Sequence, residues 1–156
     1  DDFFAHMEEI DFCWRLKNLG YRIVSNPNST VYHVGGGTLP NNSPFKLYLN
    51  FRNNLFLLYK NLPKGRLYST LFIRMILDGL SAVIFLFKFS FANFSAILKA
   101  HTSFYKSLKK MKRKREKLLQ SKVAHQHAEI YPGSILAAYF IKKISVFSKL
   151  KFKKLD

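Results

Sequence analysis

Acidic side chains are scarce in this chain. It carries 9 Asp+Glu against 26 Lys+Arg in 156 residues, a formal net charge of +17. Between Phe12 and Arg115 the only carboxylate is Asp78. A surface so short of acid is drawn to polyanions: nucleic acid, anionic lipid or phosphorylated substrates. Cysteine is almost absent as well. The single Cys13 cannot form an internal disulfide, which excludes a disulfide-stapled secreted module and points to a reducing compartment. Long uninterrupted apolar runs are missing too. Arg74, Asp78 and Lys88 interrupt residues 67–88, and the cleanest run, Gly79 to Phe87, is far below the ~20 residues of a spanning helix. That stretch is expected to be an interfacial or buried helix. The opening Asp1-Asp2 is followed by no signal-peptide pattern, and the chain reads as the tail end of a longer protein.

Apolar and aromatic residues are plentiful, by contrast. Hydrophobic residues make up 48% of the chain, with 16 Phe and 8 Tyr, which excludes a disordered polymer because there is ample surface to bury. The few acids are also unevenly placed. Five of the nine (Asp1, Asp2, Glu8, Glu9 and Asp11) fall in the first eleven residues. Such a knot repels itself and requires a compensating metal, proton or cation.

Residues 6–19 are predicted to be helical, closed by Gly20, with Phe12, Leu16 and Leu19 on one face and Glu8, Asp11 and Arg15 on another. Asp11 and Arg15 stand four apart in the favourable acid-first order. Tyr21–Val24 and Thr30–His33 read as short strands around an Asn26-Pro27-Asn28-Ser29 turn, and Gly35-Gly36-Gly37 breaks the second. Ser43-Pro44 opens a helix that Pro63 stops. Ser90 begins another helix, which runs into a basic stretch from Lys106 to Lys117.

Four constellations carry possible chemistry. Glu8, Glu9 and Asp11 at a helix start suit either a dipole-stabilising solvated turn or a general base held near a metal or phosphate. His33, at a strand end before three glycines, is either a metal or phosphate contact or a polar strand terminus. Arg52 and Asn53 amid aromatics either contact substrate or bond to backbone carbonyls. The Lys106–Lys117 run is a solvated helix face, an anionic-lipid site or a nucleic-acid site, and the apolar helices around it favour the membrane surface.

Taken in order, Glu8-Glu9-Ile10-Asp11-Phe12-Cys13-Trp14-Arg15, Gly20-Tyr21, Pro27, Val31-Tyr32-His33 and Gly35-Gly36-Gly37 resemble the C-terminal portion of family 2 glycosyltransferases. These are inverting GT-A enzymes that build bacterial surface polysaccharides. Asn50 to Asn54 and Tyr59 to Pro63 look like the family's continuation, so the resemblance covers residues 1–63. It implies an α/β fold: the C-terminal fragment of a GT-A (Rossmann-like) domain over residues 1–62, then a mainly helical, basic amphipathic tail over 63–156. It also implies transfer of a sugar from a nucleotide-sugar donor to a hydroxyl on a glycan or lipid-linked acceptor. By position Glu9 is the catalytic base, where the family commonly has Asp, with Glu8 or Asp11 sharing the role. Arg15 supports Asp11, Arg52 and Asn53 bind substrate, and His33 helps hold a divalent metal, Mn²⁺ or Mg²⁺. Most of that metal's ligands, an Asp-X-Asp motif, and the nucleotide-binding βαβ half are absent from this sequence, so the chain alone is expected to be inactive. The expected location is cytoplasmic, peripheral on the inner face of the membrane, with the basic tail on anionic lipid. The alternative is a basic peripheral membrane- or nucleic-acid-binding module without catalysis. It leaves the acidic knot without purpose, and no nucleic-acid-binding signature is present, so nucleic acid ranks below lipid.

Overall fold

The computed structural model describes residues 2–32, 40, 43–123 and 130–152. It forms two compact units, Asp1–Lys122 and Val123–Asp156. The first holds four α-helices: α1 (Glu8–Asn18), α2 (Pro44–Asn61), α3 (Lys64–Phe87) and α4 (Phe91–Gln120). The residues expected to form the end of a catalytic domain and those expected to begin a tail therefore share one core.

The α/β expectation is overturned. Among the described residues there is no strand and no sheet, so residues 1–62 do not form a Rossmann-like fragment. Tyr21–Val24 and Thr30–Tyr32 are irregular and exposed. Their β-branched and aromatic side chains favour extended backbone, but a strand exists only where a neighbour completes its hydrogen-bond ladder. No described residue does so here.

The helices begin and end where local chemistry dictates. Ser43 Oγ accepts from the Lys46 N–H at 3.1 Å, and Pro44 occupies the first helical position of α2, where its missing N–H costs nothing. Pro63 separates α2 from α3. At the other end of α1, the Tyr21 N–H returns to the Leu16 carbonyl at 3.0 Å across Gly20, whose φ of 86° suits glycine. On the apolar face of α1, Phe12 and Leu19 are exposed, with the Arg15 guanidinium 5.7 Å from the Phe12 ring.

The core lies where α2 packs on α4, with α3 closing the side. Leu55, Phe56, Leu67, Leu71, Phe104 and Met111 form its buried cluster. Phe104 sits at its centre, its ring 6.2 Å from Phe56 and edge-on to Tyr59 at 5.9 Å. Such pairs add about 0.5–1.5 kcal/mol each beyond the area they bury. Ala96 and Ala100 are buried on α4, and their small side chains let a neighbouring backbone come close.

Two charges that interrupt the apolar stretch of α3 are neutralised inside this bundle. Asp78 is 1% exposed. Arg74 Nε lies 2.7 Å from its Oδ1, and His101 Nε2 of α4 lies 3.1 Å from its Oδ2. The Arg74 guanidinium also covers the Phe51 ring at 5.2 Å. The helix α3 is continuous over 24 residues and is long and apolar enough, by length and composition only, to cross a membrane.

The second unit is small. A π-helical turn at Ala137–Ile141 buries Ala138, and a 3₁₀ turn follows at Phe147–Lys149. The Phe152 ring stands 5.4 Å from Phe147 and 5.7 Å from Tyr131.

Replacing Asp78 with Ala strands Arg74 and His101 beside an apolar core. The expected cost is about 2–4 kcal/mol, somewhat below that of a fully buried pair because both partners keep some solvent. It should be read as a lowered urea midpoint with an unchanged slope.

Candidate functional site

The acid-rich start of α1 is set by a strained turn and the amide that holds it. His6 and Met7 are consecutive non-glycine residues with φ of 69° and 71°. Left-handed backbone of this kind costs of order 1–3 kcal/mol per residue and persists only where its surroundings enforce it. Asn53, fully buried on α2, does so: its Nδ2 donates to the carbonyls of Ala5 at 2.7 Å and His6 at 3.0 Å. Its Oδ1 accepts from Arg52 Nε at 3.0 Å and Nη2 at 2.9 Å. Arg52 in turn donates to the Asp2 carbonyl at 3.3 Å and lies over the rings of Tyr48 and Phe56. Of the two readings open for Arg52 and Asn53, these bonds to backbone are what the structure contains.

The turn separates the three acids. Asp11, 2% exposed, faces α2. Its Oδ2 accepts from Arg15 Nε and Lys60 Nζ, each at 2.9 Å, and its Oδ1 from Asn61 Nδ2 at 2.8 Å. Glu8 and Glu9 stay exposed. Glu8 joins Asp11 and Arg15 in lining a cavity of about 440 Å³, whereas Glu9, a quarter-turn away on the helix, is not among its walls.

Cations from α2 and α4 complete that cavity: Lys60, Lys114 and Lys117. Asp2 also lines it and draws in the basic helix, with its carboxylate 2.8 Å from Lys110 Nζ and 2.6 Å from Lys114 Nζ. Burial alone would raise the Asp2 pKa. The hydrogen bonds and positive charges of the two lysines outweigh it and hold the carboxyl at about 2. Nearby, Arg115 Nη1 donates to the Tyr59 carbonyl at 2.7 Å, placing a cation on the C-terminal carbonyls of α2. Burial pulls this guanidinium below its ordinary pKa.

The basic run is thus not one solvated face. Lys110, Lys114 and Arg115 are spent on Asp2 and on α2, while Lys106, Lys109, Lys112, Arg113 and Lys117 remain exposed. Sequence reading singled out Glu8, Asp11 and Arg15 but missed Lys60, Asn61 and Lys114. No local pattern marks those three, because their partners lie about 50 or more positions away in the chain.

The metal expectation finds no support in these side chains. Asp11 already receives three N–H donors, and no group of three His, Cys, Asp or Glu able to hold an ion occurs among the described residues. His33, the expected ligand, lies outside the described residues. Chemically, the site offers two solvent-open carboxylates, Glu8 in the wall and Glu9 outside it, at a cavity lined by both acids and cations. Comparison with protein-family models, curated proteins and solved structures finds no match to this chain.

Asn53→Ala removes both bonds to the strained turn and leaves the Ala5 and His6 carbonyls without their donor. A loss of about 2–3 kcal/mol is expected, with faster amide exchange concentrated in residues 5–12. The Asp2 shift predicts a pH dependence. Its folded pKa, about 2, lies below the ordinary 3.8, so its stabilisation is complete above about pH 4 and disappears as the pH falls through 2. Asp2→Asn should flatten the acid limb of stability over that window by on the order of 1–2 kcal/mol, allowing for screening at the exposed lysines.

Proposed function

We propose that this chain carries the acid-bearing, acceptor-side part of an inverting glycosyltransferase. The enzyme transfers a sugar from a nucleotide-sugar donor to a hydroxyl acceptor in surface polysaccharide or glycolipid synthesis. The observation that carries the reading is the division of labour on α1. Asp11 and Arg15 are locked together and tied to Lys60 and Asn61, while Glu8 and Glu9 are left open to solvent on the same turn. The resemblance implies Glu9 as the base, with Glu8 or Asp11 sharing the role, and Arg15 as a support of Asp11; three donors on the buried Asp11 favour Glu8 over Asp11 as the sharing acid.

The chemistry follows from the charges. A Glu9 oxygen takes the proton of the acceptor hydroxyl as that oxygen attacks the anomeric carbon. The bond from that carbon to the diphosphate oxygen breaks, the nucleoside diphosphate leaves with the electron pair, and configuration inverts. Of the cations lining the cavity, Arg15 and Lys60 are paired with Asp11 and Lys114 with Asp2, so Lys117 is the lining cation outside these pairs that would face an anionic leaving group. Glu reaches one methylene further than the Asp common at this position in the family, which sets the acceptor hydroxyl correspondingly further from the helix. The nucleotide-binding half is assigned by the same resemblance to residues this chain does not contain, so transfer requires that half to be supplied.

Glu9→Gln in the complete transferase is expected to lower kcat by about 10²–10⁴-fold with little change in donor KM, the range typical of a lost general base. Glu8→Gln, measured beside it, decides whether the neighbouring acid shares the role. Transfer that survives both substitutions refutes the assignment.

A further inference from the structure

The outward face of α3 is unlike the rest of the molecule. From Tyr68 to Phe87 no exposed position of this helix carries a charge. Tyr68, Phe72, Ile76, Leu80, Ile84 and Phe87 recur on this face at 49–78% exposure, with Ile73 and Val83 beside them. At 3.6 residues per turn these positions span an arc of roughly 160°, in a strip about 28 Å long. The charged residues within this stretch, Arg74 and Asp78, lie on the opposite side, paired with each other and with His101. At the two ends, Arg66 and Lys88 are exposed and fall along one border of the strip.

We infer that this face is a membrane-docking surface on which α3 lies in the plane of an anionic bilayer. Its apolar side chains enter the acyl boundary, and Arg66 and Lys88 reach back to the phosphates. Three observations select a bilayer over other occupants. First, the strip has almost no hydrogen-bonding groups: its exposed positions are apolar apart from Ser69 and the Tyr68 hydroxyl, whereas a protein interface of this length carries several directed bonds. Second, charge opposes a second copy. The chain is +17, and the exposed carboxylates described in this unit are Glu8, Glu9 and Glu116 only, so self-association brings like charge together while anionic lipid is attracted. Third, the turn after α3 spends strain on exposure: Phe89 adopts φ 54° and is 80% exposed, flanked by the exposed Phe87 and Phe91. A glycine there would be less strained, and the aromatic instead extends the apolar surface past the helix end. An in-plane rather than spanning pose follows from packing. The inward face of α3, with Leu67, Leu71, Asp78 and Ala82, is already buried against the bundle.

This inference does not depend on the proposed transferase activity, since it is read by lipid binding with no sugar nucleotide present. The 156-residue chain is sedimented with phosphatidylcholine vesicles, and with vesicles that also contain phosphatidylglycerol. Binding to the anionic vesicles is expected, at least tenfold stronger than to the neutral ones and weakened by salt. The double substitution Ile76→Glu and Ile84→Glu changes only exposed positions. It should reduce that binding at least tenfold while leaving the circular dichroism spectrum and urea midpoint unchanged. Tryptophan substituted at Phe72, where the native ring is already exposed, should show a blue-shifted emission on vesicle addition. Vesicle binding that is absent, or that persists undiminished in the double variant, overturns the inference. A lipid-free dimer in sedimentation velocity that the same substitutions dissociate overturns it as well, in favour of a second copy.

Discussion

The packing of α2 on α4 is the contact on which the rest of this structure depends. Phe104 fills the space between Phe56 and Tyr59, and Leu55 and Met111 close around it. That contact fixes the rotation of α2 about its own axis. Once it is fixed, the other edge of the same helix must present Asn53, Lys60 and Asn61 to whatever lies beside it. The N-terminal segment and α1 are what lie there. The hydrophobic core therefore places the polar site, and Phe56 joins the two, with the Arg52 guanidinium over its ring.

Among the described residues, buried carboxylates sit in sets with their cations, and Lys60 Nζ, 3.9 Å from Asp2 Oδ2, links two of these sets. Asp11 with Arg15, Lys60 and Asn61 is one, Asp78 with Arg74 and His101 another, and Asp2 with Lys110 and Lys114 a third. Each buries a carboxylate and surrounds it with donors, the arrangement that low-dielectric surroundings demand. In a chain with so few acids the effect on the exterior is large. The acids taken inward leave an outer surface dominated by lysine and arginine. Glu8 and Glu9 stand out on that surface because they are not consumed in this way.

The same sorting produces two contrasting surfaces. On α1, a strained turn held by Asn53 buries one carboxylate and leaves two open, at a cavity lined by acids and cations. On α3, drawing Arg74 and Asp78 into the bundle clears the opposite face of charge. An exposed acid pair on α1 and a charge-free face on α3 coexist in one small unit because packing, rather than composition, decides which charges stay outside.

Helices and their limits were legible in the residues themselves. Gly20, Ser43-Pro44, Pro63 and Ser90 mark ends by local backbone chemistry that needs no partner, and Glu8, Asp11 and Arg15 share a face by helical geometry alone. The sheet was not legible, and was wrongly expected. Tyr21–Val24 and Thr30–Tyr32 have the composition of strands, but pairing is a property of two segments and composition describes one. Nor did the sequence reveal that Lys60, Asn61 and Lys114 would meet the acids, or that Arg74 and Asp78 would turn inward. The sequence by itself determined the net charge, the helix ends that Gly20, Ser43-Pro44, Pro63 and Ser90 mark, and the concentration of acid at the start. The tertiary structure decided which acids are buried and which face of α3 is bare, because desolvation and ion pairing depend on distances that only folding sets.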